Sequence, residues 1–233
     1  MIDFYALTSP NVQKIFIMLE ELALPYNVIP VDVWKGDQFK PEFLRVNPNG
    51  KIPVIVDHDG PGGRPYTVIE SGAILLYLAE KTGRFLPSDP ARKYEAIQWL
   101  MIQLTGVGPM FGQFTHFKQF APAAGNEYSM SRYRTELRRL YDVLEQRLGH
   151  VPYLGGAEYS IADMATFPWT RNHDAQGVKW DDRPNLARWF NAINERPAVK
   201  AALAKVAVIK SNRETASDDQ KDRFFNRGRY ARA

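Results

Sequence analysis

The chain has 233 residues, 45% hydrophobic and 24% charged, an ordinary globular composition for one large domain or two small ones. It contains no cysteine, which excludes disulfide frameworks, thiolate metal sites and a catalytic cysteine. Lysine and arginine number 30 against 26 acidic residues, a formal charge of +4. Residues 221–233 (KDRFFNRGRYARA) hold five basic residues and one acidic residue, so the body of the chain is balanced and the excess sits in a basic tail.

No apolar stretch approaches the roughly 20 residues that span a bilayer. The opening MIDFYALTSP has neither the basic start nor the small-residue cleavage site of a signal peptide. A cytoplasmic protein without a membrane span is expected.

Residues 2–7 (IDFYAL) read as a short strand. Thr8-Ser9-Pro10-Asn11 follows, with Ser9 suited to an N-cap and Pro10 to the first helical position. Val12, Ile15, Phe16, Leu19 and Leu22 then recur at helical spacing. A second strand is expected at Tyr26–Val33, a short helix around Pro41–Arg45, and a strand at Val54–Val56 after the dense turn signal NPNGKIP. The glycine-rich HDGPGGRP reads as a hairpin connection to a strand at Tyr66–Ile69, and Glu70-Ser71 opens a helix with Ile74, Leu75, Leu78 and Ala79 on its apolar face.

The order β-α-β-α-β-β-α is complete by residue 82. Residues 83–90 read as a linker, punctuated by Pro87 and Pro90. Beyond it only helices are expected, over 91–106, 129–148, 160–171, 184–195 and 197–207. The expected organisation is therefore an α/β domain at 1–82, an all-α domain at 91–210 and a basic tail at 211–233, mobile or packed as a late extension.

Four features carry candidate chemistry. The turn Thr8-Ser9-Pro10-Asn11 puts two hydroxyls and an amide beside a helix N-terminus, whose free N–H groups and partial positive charge stabilise anions; helix capping alone also explains Ser9. Ile52-Pro53 before a strand is a candidate cis peptide that would turn the Ile52 backbone toward an extended peptide ligand; the alternative is an ordinary strand-initiating proline. Glu70 and Ser71 suit a ligand carrying an α-amino and an α-carboxylate group, Glu70 taking the cation and Ser71 with the helix N-terminus taking the anion, with capping again the plainer account. Ser160-Ile161-Ala162-Asp163 is a capping-box variant and reads as structural.

Other residues say less. His58, His116, His150 and His173 have no metal-ligand spacing, and the Gly60–Gly63 cluster lacks the lysine and hydroxyl of a phosphate loop. Trp99, Trp169, Trp180 and Trp189 read as core. Met110, Phe111, Phe114, His116 and Phe117 lie in a Gly- and Pro-interrupted stretch and are candidates to line an apolar pocket. In the tail, RFFNRGRYAR interleaves arginines with aromatics as single-strand binders do, but a solvated or packed tail is the preferred account, and nucleic acid is not expected as a partner.

NPNGKIPVIVD, ESGAILLYLAEKTG, GPMFGQ and YLGGAEYSIADMATFPW, in this element order, resemble the cytosolic glutathione transferases over about residues 1–205. The TSPN turn, GPMFGQ and Arg132-Tyr133 resemble most the bacterial nu class, the disulfide-bond-reductase-like members. The resemblance implies a thioredoxin-like N-terminal domain that binds glutathione, reduced or as glutathione disulfide, and no metal. It also implies a helical C-terminal domain that covers a small electrophile or disulfide, and a homodimer. Residue by residue, Glu70 and Ser71 would hold the γ-glutamyl end. Ile52, before cis-Pro53, would pair with the cysteinyl backbone, and Gln38 and Lys51 would reach the glycyl carboxylate. Arg132 would reach across the dimer interface. Ser9, then Asn11, then Thr8 is the expected order of sulfur partners, since this chain has Ser9 where the nu-type turn usually has Thr; Tyr5 is expected to be a strand residue.

A free thiol with a pKa of about 8.5 is only ~3% thiolate at neutral pH. Bringing it to about 6.5 takes roughly 2.7 kcal/mol, within reach of two charge-assisted hydrogen bonds. The thiolate would attack a disulfide sulfur or an electrophilic carbon. The expected activity is glutathione-dependent disulfide reduction; the alternatives are a conjugating transferase and a non-catalytic glutathione-binding regulatory protein.

Overall fold

A computed structural model describes residues 1–230; residues 231–233, the end of the basic tail, lie outside the described residues. The chain forms two compact units, one of Met1–Tyr77 with Lys200–Ala233 and one of Leu78–Val199.

The first unit is built on a sheet of β1 (Ile2–Ala6), β2 (Tyr26–Pro30), β3 (Val54–Asp57) and β4 (Tyr66–Ile69), in the spatial order β2-β1-β3-β4. β1 shows the period of 2 of a half-buried strand, with Ile2, Phe4 and Ala6 turned inward. β2 runs parallel to β1, while β3 is antiparallel to β1 and β4 to β3. The register pairs Ala6 with Pro30, Tyr5 with Val54, and Val54 with Ile69. The C-terminal ends of β1, β2 and β4 and the start of β3 therefore meet at one edge of the sheet. β2 stops at Pro30, short of the expected Val33, because Asp32 turns the chain: its N–H donates to the Asp37 carboxylate (3.1 Å) and its own carboxylate accepts from the Trp34 N–H (3.2 Å).

Helix α1 (Pro10–Leu22) crosses from β1 to β2 with proline at its first position. Val12, Ile15, Phe16, Ile17, Met18 and Leu19 are all fully buried, so this helix is apolar on nearly every side. Phe16 meets Phe4 of the sheet edge to face at 4.8 Å. α2 (Pro41–Val46) follows a 3₁₀ turn at Asp37–Phe39, and α3 (Ser71–Thr82) follows β4. This is the expected thioredoxin-like order. Tyr5 is a strand residue, its ring 5.9 Å from that of Phe43.

The second unit is helical: α4 (Pro90–Ile102), α5 (Gly108–Gln119), α6 (Glu127–Leu148), α7 (Ile161–Thr170), the short α8 (His173–Gln176) and α9 (Pro184–Asn194). α10 (Pro197–Ala207) begins in this unit and runs into the first. The Gly- and Pro-interrupted GPMFGQ stretch is itself α5, which continues from α4 through a π-helical turn at Gln103–Val107 that accommodates Pro109. Phe111 and Phe114 are core rather than pocket lining, and Phe111 stacks on Tyr141 at 4.7 Å.

Asp163 is the polar centre of this unit. One carboxylate oxygen accepts from the Leu154 N–H (2.7 Å) and the Trp189 indole N–H (2.8 Å); the other accepts from the Ser160 N–H (2.9 Å) and hydroxyl (3.0 Å). The capping box read from SIAD is formed, and its work is structural.

The tail packs as an extension of the first unit and is helical in part. α11 (Asp218–Phe225) is started by a capping box between Ser217 and Gln220. Phe224 lies 4.4 Å from the Trp34 ring and Phe225 6.2 Å, and the Asn212 amide donates to Asp32 at 2.6 Å. Gly36 has φ +87°, left-handed backbone that favours glycine, and the Arg223 guanidinium lies over it, its Cζ 2.8 Å from where a Cβ would stand. Arg227 pairs with Asp222 at 2.6 Å and Arg229 with Asp219. Phe224, Phe225, Arg227 and Arg229 of the stretch that resembled a single-strand binder are thus occupied within the fold, while its Arg232 lies outside the described residues.

Asp163→Ala should cost at least about 3 kcal/mol, since four buried donors lose their acceptor, measured by denaturant unfolding of the intact chain. Phe224→Ala should cost about 1–2 kcal/mol. It should also raise acrylamide quenching of Trp34, resolved against a Trp34→Phe control.

Candidate functional site

The shared sheet edge gathers three loop segments. β1 delivers Thr8 to Asn11 there, the approach to β3 delivers Asn47 to Pro53, and the end of β4 delivers Glu70 and Ser71. Between them is a cavity of about 190 Å³ lined by Asn11, Asn47, Asn49, Lys51, Ile52, Pro53, Glu70 and Ser71. Six of these eight are residues singled out from the sequence. Ile52-Pro53 is a cis peptide bond.

The loop before β3 is held by its own side chains. The Asn47 amide donates to the Lys51 carbonyl (2.6 Å), and its oxygen accepts from the Asn49 N–H (2.9 Å). Asn49 in turn donates to a Glu70 carboxylate oxygen at 3.3 Å. Sequence reasoning took both asparagines as turn formers only; such a dense Asn/Pro/Gly run signals a turn and carries no mark of what lies opposite.

Glu70 has φ +67°, left-handed backbone that a residue with a Cβ rarely adopts. Its carbonyl accepts from the Ile74 N–H, so Glu70 holds the capping position of α3 and Ser71 is the first helical residue. The Ser71 hydroxyl does not cap. It accepts from Lys14 Nζ at 3.2 Å.

Lys14 is the residue that sequence reading passed over. It lies on the apolar helix α1, 1% exposed, beneath Ser71. Burial pushes its ammonium down to about 7, against an upward pull from the Glu70 carboxylate. The available signal was positional: Lys14 shares a face with Ile17 and Met18, so the side of α1 away from its main apolar stripe is apolar as well.

Ser9 is the N-cap residue of α1, as expected, yet makes no side-chain capping bond; it is exposed, with extended backbone (φ −65°, ψ 157°). Thr8 is half-buried, and its carbonyl accepts from the Gln13 amide. Neither hydroxyl is among the groups lining the cavity; Asn11, on the first turn of α1, is. Gln38 is buried to 2% exposure, its amide donates to the Val33 carbonyl at 3.1 Å, and it does not line the cavity. Lys51 does, and its Nζ also lies 5.9 Å from the Phe224 ring of α11. Arg132 is an exposed residue of α6 in the second unit.

A zwitterion fits this arrangement. Glu70 is an acceptor for a cation, Ser71 at the start of α3 is a donor for an anion, and the peptide before β3 offers backbone to an extended ligand. Among the described residues no group of three or more acidic or histidine side chains is placed to hold a metal ion.

The model of the glutathione S-transferase N-terminal domain matches residues 8–81, and that of the C-terminal domain matches residues 94–197. The chain belongs to the glutathione S-transferase family. The disulfide-bond oxidoreductase YfcG of Escherichia coli is 48% identical to this glutathione transferase over 206 residues, 88% of this chain and 95% of its own. A crystal structure of a Burkholderia graminis glutathione transferase with two glutathione molecules per subunit superposes with a TM-score of 0.83 at 48% identity, covering 87% of each chain. One from Pseudomonas putida with one glutathione disulfide per subunit gives 0.82 at 43%, covering 87% of this chain and 90% of that one. No helix among the described residues of this glutathione transferase is long and apolar enough to cross a membrane.

Proposed function

We propose that this glutathione transferase reduces small disulfides with glutathione as the electron donor. The cavity that joins Glu70 and Ser71 to Ile52-Pro53 carries the reading, because it matches the γ-glutamyl zwitterion and peptide backbone of glutathione in one continuous site. The oxidoreductase name of the E. coli relative, and the two glutathiones or one glutathione disulfide per subunit in the solved relatives, favour disulfide exchange.

In this reading Glu70 accepts from the γ-glutamyl ammonium and Ser71 donates to the α-carboxylate. Ile52 pairs with the cysteinyl backbone, and Lys51 and Gln38 serve the glycyl carboxylate, Gln38 after turning out of its contact with Val33. The sulfur then lies at the N-terminus of α1, where Ser9, Asn11 and Thr8 stabilise the thiolate. A glutathione thiolate attacks the substrate disulfide, forming a mixed disulfide and releasing one substrate thiolate. A second glutathione thiolate attacks the glutathione sulfur of that mixed disulfide, releasing the other substrate thiolate and leaving glutathione disulfide. Two electrons pass from the two glutathiones to the substrate, and every exchanging sulfur belongs to glutathione or substrate.

The 1–82 domain would hold glutathione and the 91–210 domain would cover the second substrate. The protein would act in the cytoplasm as a homodimer, with Arg132 reaching the partner's glutathione.

Purified protein should turn over 2-hydroxyethyl disulfide with glutathione well above background. Mass spectrometry during turnover should find no covalent glutathione adduct on the chain. Ser9→Ala should lower kcat/KM by about 100-fold, as loss of one donor to a developing anion does, and Ser71→Ala should raise KM for glutathione about tenfold. Conjugation of an aryl halide without disulfide turnover would instead make it a conjugating transferase; tight glutathione binding without either activity would make it a binding protein.

A further inference from the structure

A lysine buried at the first turn-and-a-half of an N-terminal helix is electrostatically misplaced. It is buried on a helix whose other buried side chains are apolar, the α1 dipole opposes a cation near its N-terminus, and the first turn of α1 supplies no acidic residue. From the turn opposite, Glu70 is the charged group that favours the ammonium, and its carboxylate also accepts from Asn49. The Ser71 hydroxyl is in contact and accepts from Lys14 Nζ at 3.2 Å.

The donor inventory then decides what Ser71 offers the cavity. An ammonium is a donor with no lone pair, so Ser71 Oγ must accept from it. The single hydroxyl proton of Ser71 is left for the cavity side, where it can only donate. A neutral amine could accept that proton and turn the hydroxyl inward. The charge on Lys14 therefore sets whether Ser71 presents a donor, and a carboxylate seated on that donor favours the charge in return.

We propose that Lys14 is a positioning residue of the glutathione site: it fixes the Ser71 hydroxyl as a donor toward the ligand's α-carboxylate, and binding of that carboxylate draws a proton onto Lys14. The inference rests on the glutathione reading above. The ligand's thiol plays no part in it, so S-methylglutathione, whose sulfur cannot ionise, isolates the effect.

The sign follows from linkage. The free site loses the Lys14 proton as pH rises through about 7, and the occupied site retains it to higher pH, so binding takes up a proton and weakens as pH rises. Calorimetric titration of the intact protein with S-methylglutathione, in buffers of different ionisation enthalpy, should register about half a proton taken up at pH 7 and close to one at pH 8. The Kd should be about tenfold weaker at pH 8 than at pH 6. In Lys14→Met both the uptake and the pH dependence should vanish. A protein that binds S-methylglutathione with no proton uptake in wild type between pH 6 and 8 overturns the proposal and leaves the glutathione reading standing; this arm needs no variant to fold. Uptake that persists in Lys14→Met also overturns it. Failure to bind glutathione or S-methylglutathione removes the glutathione reading, and this inference with it.

Discussion

The antiparallel pairing of β3 with both β1 and β4 is the constraint on which the site depends. Pairing Tyr5 with Val54, and Val54 with Ile69, aligns the end of one strand with the start of the next and the end of the third. Segments up to about 60 residues apart in sequence are thereby brought together around one cavity. Because side chains alternate along a strand, a slip of one residue in either pairing would turn Ile55 and Val68 out of the core as well as displacing the loops. The packing of the interior and the geometry of the cavity are thus enforced by the same register.

On that frame the electrostatics are layered. The outer layer is a set of short polar contacts, Asn47 to Lys51 and Asn49 to Glu70, that hold the loops in shape. Beneath it lies a buried charge, Lys14, which donates to the Ser71 hydroxyl of the cavity. A buried charge is retained at a cost in stability unless something compensates it. Here the Glu70 carboxylate does so in part, from a residue that itself adopts left-handed backbone. Strain and desolvation gather at the same turn, the pattern of a site organised around a ligand.

Much of this was legible in the sequence, and the failures have physical causes. Strand order, the turns, the start of α1 and the SIAD cap follow from local chemistry, and local chemistry is written locally. The helix at GPMFGQ was missed because glycine and proline read as breakers, although a π-helical turn just before them lets the helix run on past Pro109. The start of α11 was written in Ser217 and Gln220 as a capping box. What binds that helix was not legible, because Phe224 finds Trp34 almost two hundred residues away. Lys14 was hidden for a different reason: periodicity assigns charges to solvent, and here the charge is inside. One cavity brings together Asn11, Lys51, Ile52, Pro53, Glu70 and Ser71, while the Gln38 amide donates to the Val33 carbonyl away from it.

The first unit is discontinuous, Met1–Tyr77 completed by Lys200–Ala233, whereas Leu78–Val199 is a single stretch. On the ribosome the sheet and its loops emerge well before α11, so the face carrying Trp34 and Gly36 waits for residues almost two hundred positions further on. At about 5–20 residues per second, that interval is on the order of ten seconds or more. Through it the half-built glutathione domain displays an aromatic surface that only its own last helix will cover. The order of synthesis thus differs from the order of packing: the sheet is made before the helical unit, yet its Trp34 face is covered only after that unit has been made.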